Sequence, residues 1–341
     1  MKRVLTVYPN CSLGGMTSVY TSRCMVSPET KFDFIFINDK GGREAFETPK
    51  NSDCRIIRKD RLNTYYSNTL SNIKYDEIRI TSFPELTQID LENNKNTKLV
   101  YEFHTSTVSI IENELKSIKF ENVSEIWVPS EYLKSIVSGL MNSNTPIKVV
   151  ENIANISVFN PNKSEISQFH FEKGKIPIFW VGRLDKGKNY KDFFRMLALL
   201  PVKYHGIVIL SLENESSRIS EALLEADKYK LSERVRFLLN LTQLELANLY
   251  RDSFNNKGIF CSTSLAESFG YGVLEAALCG LPVVTYEVGG ISGHKKYGLA
   301  IHMVDVGDVL RLTEEIKGLN WDNDHKLNIA SAKKYIENFS N

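Results

Sequence analysis

Ser264-Leu-Ala-Glu267-Ser268-Phe269-Gly270-Tyr-Gly272-Val-Leu274-Glu275-Ala-Ala-Leu-Cys-Gly280-Leu-Pro282-Val-Val284 contains a polar loop, a helix and the opening of a strand in one run. A short apolar segment, Gly258–Phe260, precedes it and reads as a strand. The helix is expected to begin near Gly270, Gly280 to stop it, and Pro282 to open the next strand. Free N–H groups at such a helix start, together with its dipole, favour an anion, for example a diphosphate. Gly270 and Gly272 let a ligand come close to the backbone.

The same alternation extends outward through the chain. Strands are expected at 3–8, 32–37, 54–57, 77–81, 98–103, 125–128 and 147–150, then at 176–181, 206–210, 234–238, 282–286 and 300–303, with helical patterns between them. Pro84 and Ser130 read as helix starts. This order is that of an α/β protein with parallel sheets. Residues Glu151 to Lys163 carry Asn152, Asn155, Asn160, Pro161 and Asn162, a loop or hinge composition. The expectation is two Rossmann-like domains facing across a cleft: residues 1–152, residues 153–323, and a closing helix within 324–341 packing back toward the first domain. Ligands of such sheets lie beyond the carboxyl ends of the strands.

Composition narrows the function classes. The 341 residues carry 42 basic and 41 acidic side chains, a net charge of +1, so no global field favours nucleic acid or anionic lipid. No apolar run is long enough to span a bilayer, and Met1–Tyr8 lacks the plan of a signal peptide. Cytoplasmic residence is the default expectation, with peripheral contact at the inner membrane face as a variant. The five cysteines (Cys11, Cys24, Cys54, Cys261 and Cys279) are widely spaced, which argues against a disulfide framework or a zinc site.

Glu267 precedes the helix and Glu275 lies about five residues into it, roughly 7–10 Å apart along the axis. Carboxylates at that spacing suit a sugar hydroxyl and a ribose diol, since each accepts two hydroxyl hydrogens. The competing reading makes both acids solvated helix-face residues. The full string resembles the E-x7-E signature of the retaining family-4 glycosyltransferases, which have the GT-B fold. That resemblance implies that Glu267 contacts the transferred sugar and Glu275 the ribose. It also implies that Ser268, Phe269, Gly270 and Leu274 line the donor, and that the donor is a nucleoside-diphosphate sugar used without cofactor or metal.

A second segment, Phe179-Trp-Val181-Gly182-Arg183-Leu184-Asp185-Lys186-Gly187-Lys188-Asn189, is similar to the family's G-R-L-x-x-x-K-N motif. Arg183 and Lys188 are then the cations that neutralise the departing diphosphate, while Lys186 is solvated. Val235-Arg-Phe237-Leu238-Leu239-Asn240-Leu241-Thr242 resembles the segment that cradles the nucleobase. Here Leu239 or Asn240 stands where the family usually has Gly.

In the first half, Ser12-Leu-Gly14-Gly15-Met16 resembles the glycine loop beside donor phosphate and acceptor, against the alternative of a bland turn. Glu102-Phe-His104-Thr105-Ser106 carries a histidine matching one that lines the reaction centre from the acceptor side. The alternative there is a histidine satisfied in the core. Arg55, Arg58, Lys59 and Arg61, followed by Tyr65 and Tyr66, offer a contact for a membrane surface or a nucleic-acid backbone, or simply form a solvated edge. Asp322-Asn-Asp324 lies in a polar turn and is not expected to bind metal, and His294-Lys-Lys-Tyr297 reads as a solvated loop, against the alternative of a phosphate contact.

The expected activity is retaining, metal-independent transfer of a sugar from a nucleoside diphosphate to a hydroxyl acceptor such as a glycan or a lipid-linked glycan. The catalytic residues are Glu267, Arg183, Lys188 and His104. The donor-binding residues are Gly14, Gly15, Leu239, Ser268, Phe269, Gly270, Leu274 and Glu275. A nucleotide-sugar epimerase and a catalytically silent glycosyltransferase partner or glycan-binding protein are the rival readings.

Overall fold

Runs of β-branched and aromatic residues flanked by Gly, Asn and Pro form the strands. Both faces of these strands are covered, as parallel sheets require. The structure, a computed structural model, describes residues 1–89, 96–162, 169–211 and 216–339. It divides into two units, Met1–Ile153 and Ala154–Asn341.

The first unit holds β1 (Arg3–Ser12), α1 (Gly15–Val26), β2 (Lys31–Lys40), α2 (Arg43–Glu47), β3 (Ser52–Ile56), α3 (Leu62–Asn72) and β4 (Glu77–Ile80). It continues with β5 (Lys98–Glu102), α4 (Val108–Ser117), β6 (Glu125–Val128), α5 (Glu131–Leu140) and β7 (Ile147–Val149). The strands form one parallel sheet in the order β3-β2-β1-β4-β5-β6-β7. Ser130 caps α5 by accepting from the Leu133 N–H, so the expected helix start there is a real cap. Pro84 opens only a short 3₁₀ turn, Pro84–Gln88.

The second unit holds β8 (Ile176–Val181), α6 (Tyr190–Leu199), β9 (Tyr204–Leu210), α7 (Ser216–Lys228), β10 (Val235–Leu239), α8 (Gln243–Asp252) and β11 (Ile259–Ser262). It closes with α9 (Tyr271–Leu278), β12 (Val283–Tyr286), α10 (Gly289–Ser292), β13 (Ile301–Val304), α11 (Val309–Gly318) and α12 (Trp321–Phe339). Its parallel sheet runs β10-β9-β8-β11-β12-β13. Connections leave β8 toward one edge and β11 toward the other, so the strand order reverses between them. In the first unit the same reversal falls between β1 and β4. Such a reversal opens a crevice at the carboxyl ends of the two strands, where ligands of doubly wound sheets bind.

The described part of the Asn-rich segment holds no helix or strand, in keeping with a loop composition. From Ala154 onward it packs within the second unit, where Phe159 is fully buried and Arg251 donates to the carbonyls of Val158 and Asn160. Asn155 donates to Gln243 at 3.0 Å. Lys163, the far end of the expected hinge, lies outside the described residues. The closing helix, expected within 324–341, begins at Trp321, and several of its side chains hydrogen-bond within the second unit. The Trp321 indole donates to the Gly258 carbonyl at 2.8 Å, and Asn328 bridges Ala300 and Leu281.

All five cysteines are buried free thiols, and burial raises their pKa, in Cys24 to about 12. No helix among the described residues is long and apolar enough to cross a membrane.

Candidate active site

The two strands flanking the reversal in the second sheet each release a loop at their carboxyl end. β8 ends at Val181 and leads through Gly182–Asn189 into α6; β11 ends at Ser262 and leads through Thr263–Gly270 into α9. The two motifs singled out in the sequence therefore occupy adjacent loops, although they are far apart along the chain. Backbone and side chains bolt the loops together. The Leu265 N–H donates to the Gly187 carbonyl at 2.8 Å. Thr263 accepts from the Trp180 indole at 3.0 Å and donates to the Asn189 carbonyl at 2.9 Å.

Within this frame Lys188 Nζ donates to Glu267 Oε1 in an ion pair spanning 79 positions. The two side chains are 26% and 15% exposed, a half-shielded setting in which charges are felt more strongly than on open surface. Arg183, more exposed, pairs with Asp185 at 2.9 Å, and the other Asp185 oxygen accepts from the Lys188 N–H at 2.9 Å. Burial alone would raise the Asp185 pKa, but Arg183 and that N–H outweigh it and hold the carboxyl below its usual range. Asp185 thus splints the basic loop. Lys186 is exposed, as expected.

Gly270 caps α9 at φ +85, in the left-handed region; an added Cβ would meet Ile291 Cγ1 at 2.6 Å. Ser268 is half-buried and Phe269 is buried. Glu275 is 6% exposed, so the reading of both acids as solvated helix-face residues is excluded. Leu274 is fully buried and its N–H donates to the Gly270 carbonyl, so it holds the first turn of the helix rather than facing solvent. At the end of β10, Leu239 is exposed and Asn240 takes φ +56. The left-handed position that glycine favours is therefore filled by Asn240, a residue that tolerates it. Asn240→Val is expected to lower stability by about 1–2 kcal/mol, and Asn240→Gly to be near neutral, as read from urea unfolding midpoints.

Sequence reading missed two neighbours. His294, expected in a solvated loop, is 1% exposed and sits edge-on to Phe269 at 4.8 Å. Gly290 donates its N–H to the Glu267 carbonyl at 2.9 Å. The Gly289-Gly290 doublet was the available signal, since paired glycines often mark close backbone approach. Asp322 and Asp324 are engaged with Lys257 and His302 at 3.1 and 3.0 Å.

In the first unit Gly14 caps α1 and Gly15 opens it; neither has positive φ, so backbone geometry does not demand glycine at either. His104 Nε2 lies 3.0 Å from Glu102 Oε2, beside a carboxylate with no solvent exposure. The basic segment is weaker than its residue count suggests. Arg55 pairs with Asp53 and Arg58 with Asp60, each at 3.0 Å. Arg58 and Arg61 line a shallow groove of about 380 Å³ with Tyr65 and Asn68; Lys59 is exposed.

Comparison with known proteins agrees with this architecture. A "probable sucrose-phosphate synthase" of Thermosipho melanesiensis is 30% identical over 201 residues, covering 54% of this chain and 42% of that protein. A "D-inositol 3-phosphate glycosyltransferase" of Corynebacterium jeikeium is 27% identical over 220 residues, covering 61% and 52%. The chain thus spans about half the length of these relatives or less. Among solved structures, Anabaena HepE in complex with UDP-glucose superposes with a TM-score of 0.81 at 17% identity, covering 99% of this chain and 96% of that one. The lipopolysaccharide outer core galactosyltransferase WaaB superposes with a TM-score of 0.69 at 18% identity. The family model described as "Glycosyl transferases group 1" matches residues 162–334, half of the chain and the whole frame in which Lys188 meets Glu267. The two-Rossmann-unit architecture and this match together make the protein a member of the group 1 glycosyl transferases.

Proposed function

We propose that the second unit binds a nucleoside-diphosphate sugar and that the protein transfers the sugar, with retention and without metal, to a hydroxyl acceptor held by the first unit. The observation that carries this reading is the Lys188–Glu267 ion pair, set in two interlocked loops at the strand reversal, immediately before the N-terminus of α9. Departure of the diphosphate builds negative charge on its terminal oxygen. Arg183, Lys188 and the free N–H groups at the start of α9 answer that charge electrostatically, the work a divalent cation does elsewhere. Glu267 accepts hydroxyl hydrogens of the sugar, and Glu275 those of the ribose. Ser268, Phe269, Gly270 and Leu239 line the donor. The sugar becomes oxocarbenium-like, the acceptor hydroxyl attacks from the same face, and the leaving phosphate oxygen takes its proton. Gly14, Gly15 and His104 serve the first unit's side of the reaction. HepE in complex with UDP-glucose makes that donor the first to test.

A ligand that binds only the folded state raises apparent stability by mass action, about 2.7 kcal/mol at one hundred times its Kd. Thermal unfolding with UDP-glucose and with the corresponding GDP- and ADP-sugars should show one clear upward shift, undiminished by EDTA. No shift with any donor would overturn donor binding, and a shift abolished by EDTA would overturn metal independence.

A further inference from the structure

Asn189 follows Lys188 directly and takes φ +51, in the left-handed region that only glycine adopts freely. An asparagine in front of a helix ordinarily accepts a hydrogen bond from a first-turn N–H. Asn189 makes no such cap; its side-chain amide donates instead to Asp192 Oδ2 at 2.7 Å. Asp192 stands in the first turn of α6, where an acid gains from the helix dipole while still in water. Here its side chain is only 8% exposed. The Tyr286 hydroxyl, at the end of β12, donates to the same Oδ2 at 2.9 Å, and Arg195 donates to Oδ1 at 2.7 Å. Taking a carboxylate out of water is expensive, so the dipole alone does not account for the arrangement. What the carboxylate does locally is fix the residue that turns the chain straight after Lys188.

The same turn is gripped from its other sides. The Asn189 N–H donates to the Asp185 carbonyl at 3.1 Å, and Thr263 donates to the carbonyls of Lys188 and Asn189 at 3.2 and 2.9 Å. All of these residues lie in the second unit. A left-handed residue held by so many contacts is the kind of backbone strain that marks functional positions. We propose that Asp192, braced by Tyr286, is a positioning residue that pins Asn189 in the left-handed turn and so aims Lys188 at the diphosphate of the donor. The proposal rests on the reading above, that Lys188 meets the diphosphate, and adds to it the buried group that sets the direction of that side chain.

Titration calorimetry of the full chain with UDP tests this. Lys188→Ala sets the scale and should weaken UDP at least tenfold. Asp192→Ala, which removes the tether, should weaken it about tenfold, the order of one lost hydrogen bond to a charged group. Two further variants separate positioning from a merely structural role. In an Asn189→Gly background the turn needs no tether, so Asp192→Ala should there cost less than twofold. In a Lys188→Ala background the group being aimed is gone, and Asp192→Ala should again cost less than twofold. A tenfold loss that persists in either background overturns the positioning role, as does wild-type affinity in Asp192→Ala beside a damaged Lys188→Ala; both leave the reading of Lys188 standing. Wild-type affinity in Lys188→Ala, or no UDP binding by the wild type, overturns that reading and the proposal with it. Asp192→Ala also strips the buried Tyr286 hydroxyl of its carboxylate. Should it fail to fold, Asn189→Ala removes the same tether with Asp192 in place and should show the same tenfold loss; wild-type affinity there overturns the proposal.

Discussion

Lys188→Ala is expected to lower turnover of the nucleotide sugar by about 10²–10³-fold, the usual loss when one preorganised donor to a developing anion is removed. Two effects add in the same direction. The leaving diphosphate loses a cation, and Glu267, only 15% exposed, loses the partner that holds it in place. Glu267→Ala should be comparably damaging from the other side. Because the two residues act through one ion pair, Lys188→Ala/Glu267→Ala should be far less damaging than the product of the single losses. Steady-state kinetics on all three variants, with circular dichroism to verify folding, checks this. Near-normal turnover in both single variants would remove the site, and multiplicative losses would mean that the contact carries no functional coupling.

The second large effect is structural. A Cβ at Gly290 would fall 2.3–2.4 Å from the backbone of Ser268 and Phe269. The obstacle is main chain that cannot rotate aside, and the Gly290 N–H is already tied to the Glu267 carbonyl. Gly290→Ala must therefore push the Thr263–Gly270 loop away from α10. A stability loss of about 3 kcal/mol, at the upper end for overpacking, is expected, with donor affinity falling more than tenfold. Gly293→Ala is the matched control: nothing lies within 4 Å of its added Cβ, and its φ of −62 suits alanine. Equal unfolding midpoints and equal donor shifts for the two variants would show that the close approach has no energetic weight.

The two loops that bring Lys188 to Glu267 were legible because their signals are local. A strand, a glycine turn, a basic loop and a helix start follow one another within a dozen residues around Arg183 and Lys188. The loop before α9 has the same continuity. His294 was not legible: one histidine followed by two lysines reads as solvated, and its burial depends on Phe269 packing against it from another segment. Arg23 and Glu102 carried no signal either, since a lone arginine near a helix end and a glutamate at a strand end both look solvent-facing until the chain has folded. The basic segment beginning at Arg55 looked stronger in sequence than in space, although the interleaved Asp53 and Asp60 that neutralise part of it were visible throughout.

The amino-acid order by itself determined the alternation of strands and helices, their approximate ends and the loops that carry charge, because hydrophobic period, capping residues and turn residues act over a few neighbours. Strand order was decided only in the tertiary structure. It is settled by which apolar faces cover one another across the whole sheet, a choice among non-local pairings that no short window encodes. That choice set β8 beside β11, and so brought Lys188 to Glu267. In the first unit it gathered Arg23, Arg79 and His104 around one buried carboxylate.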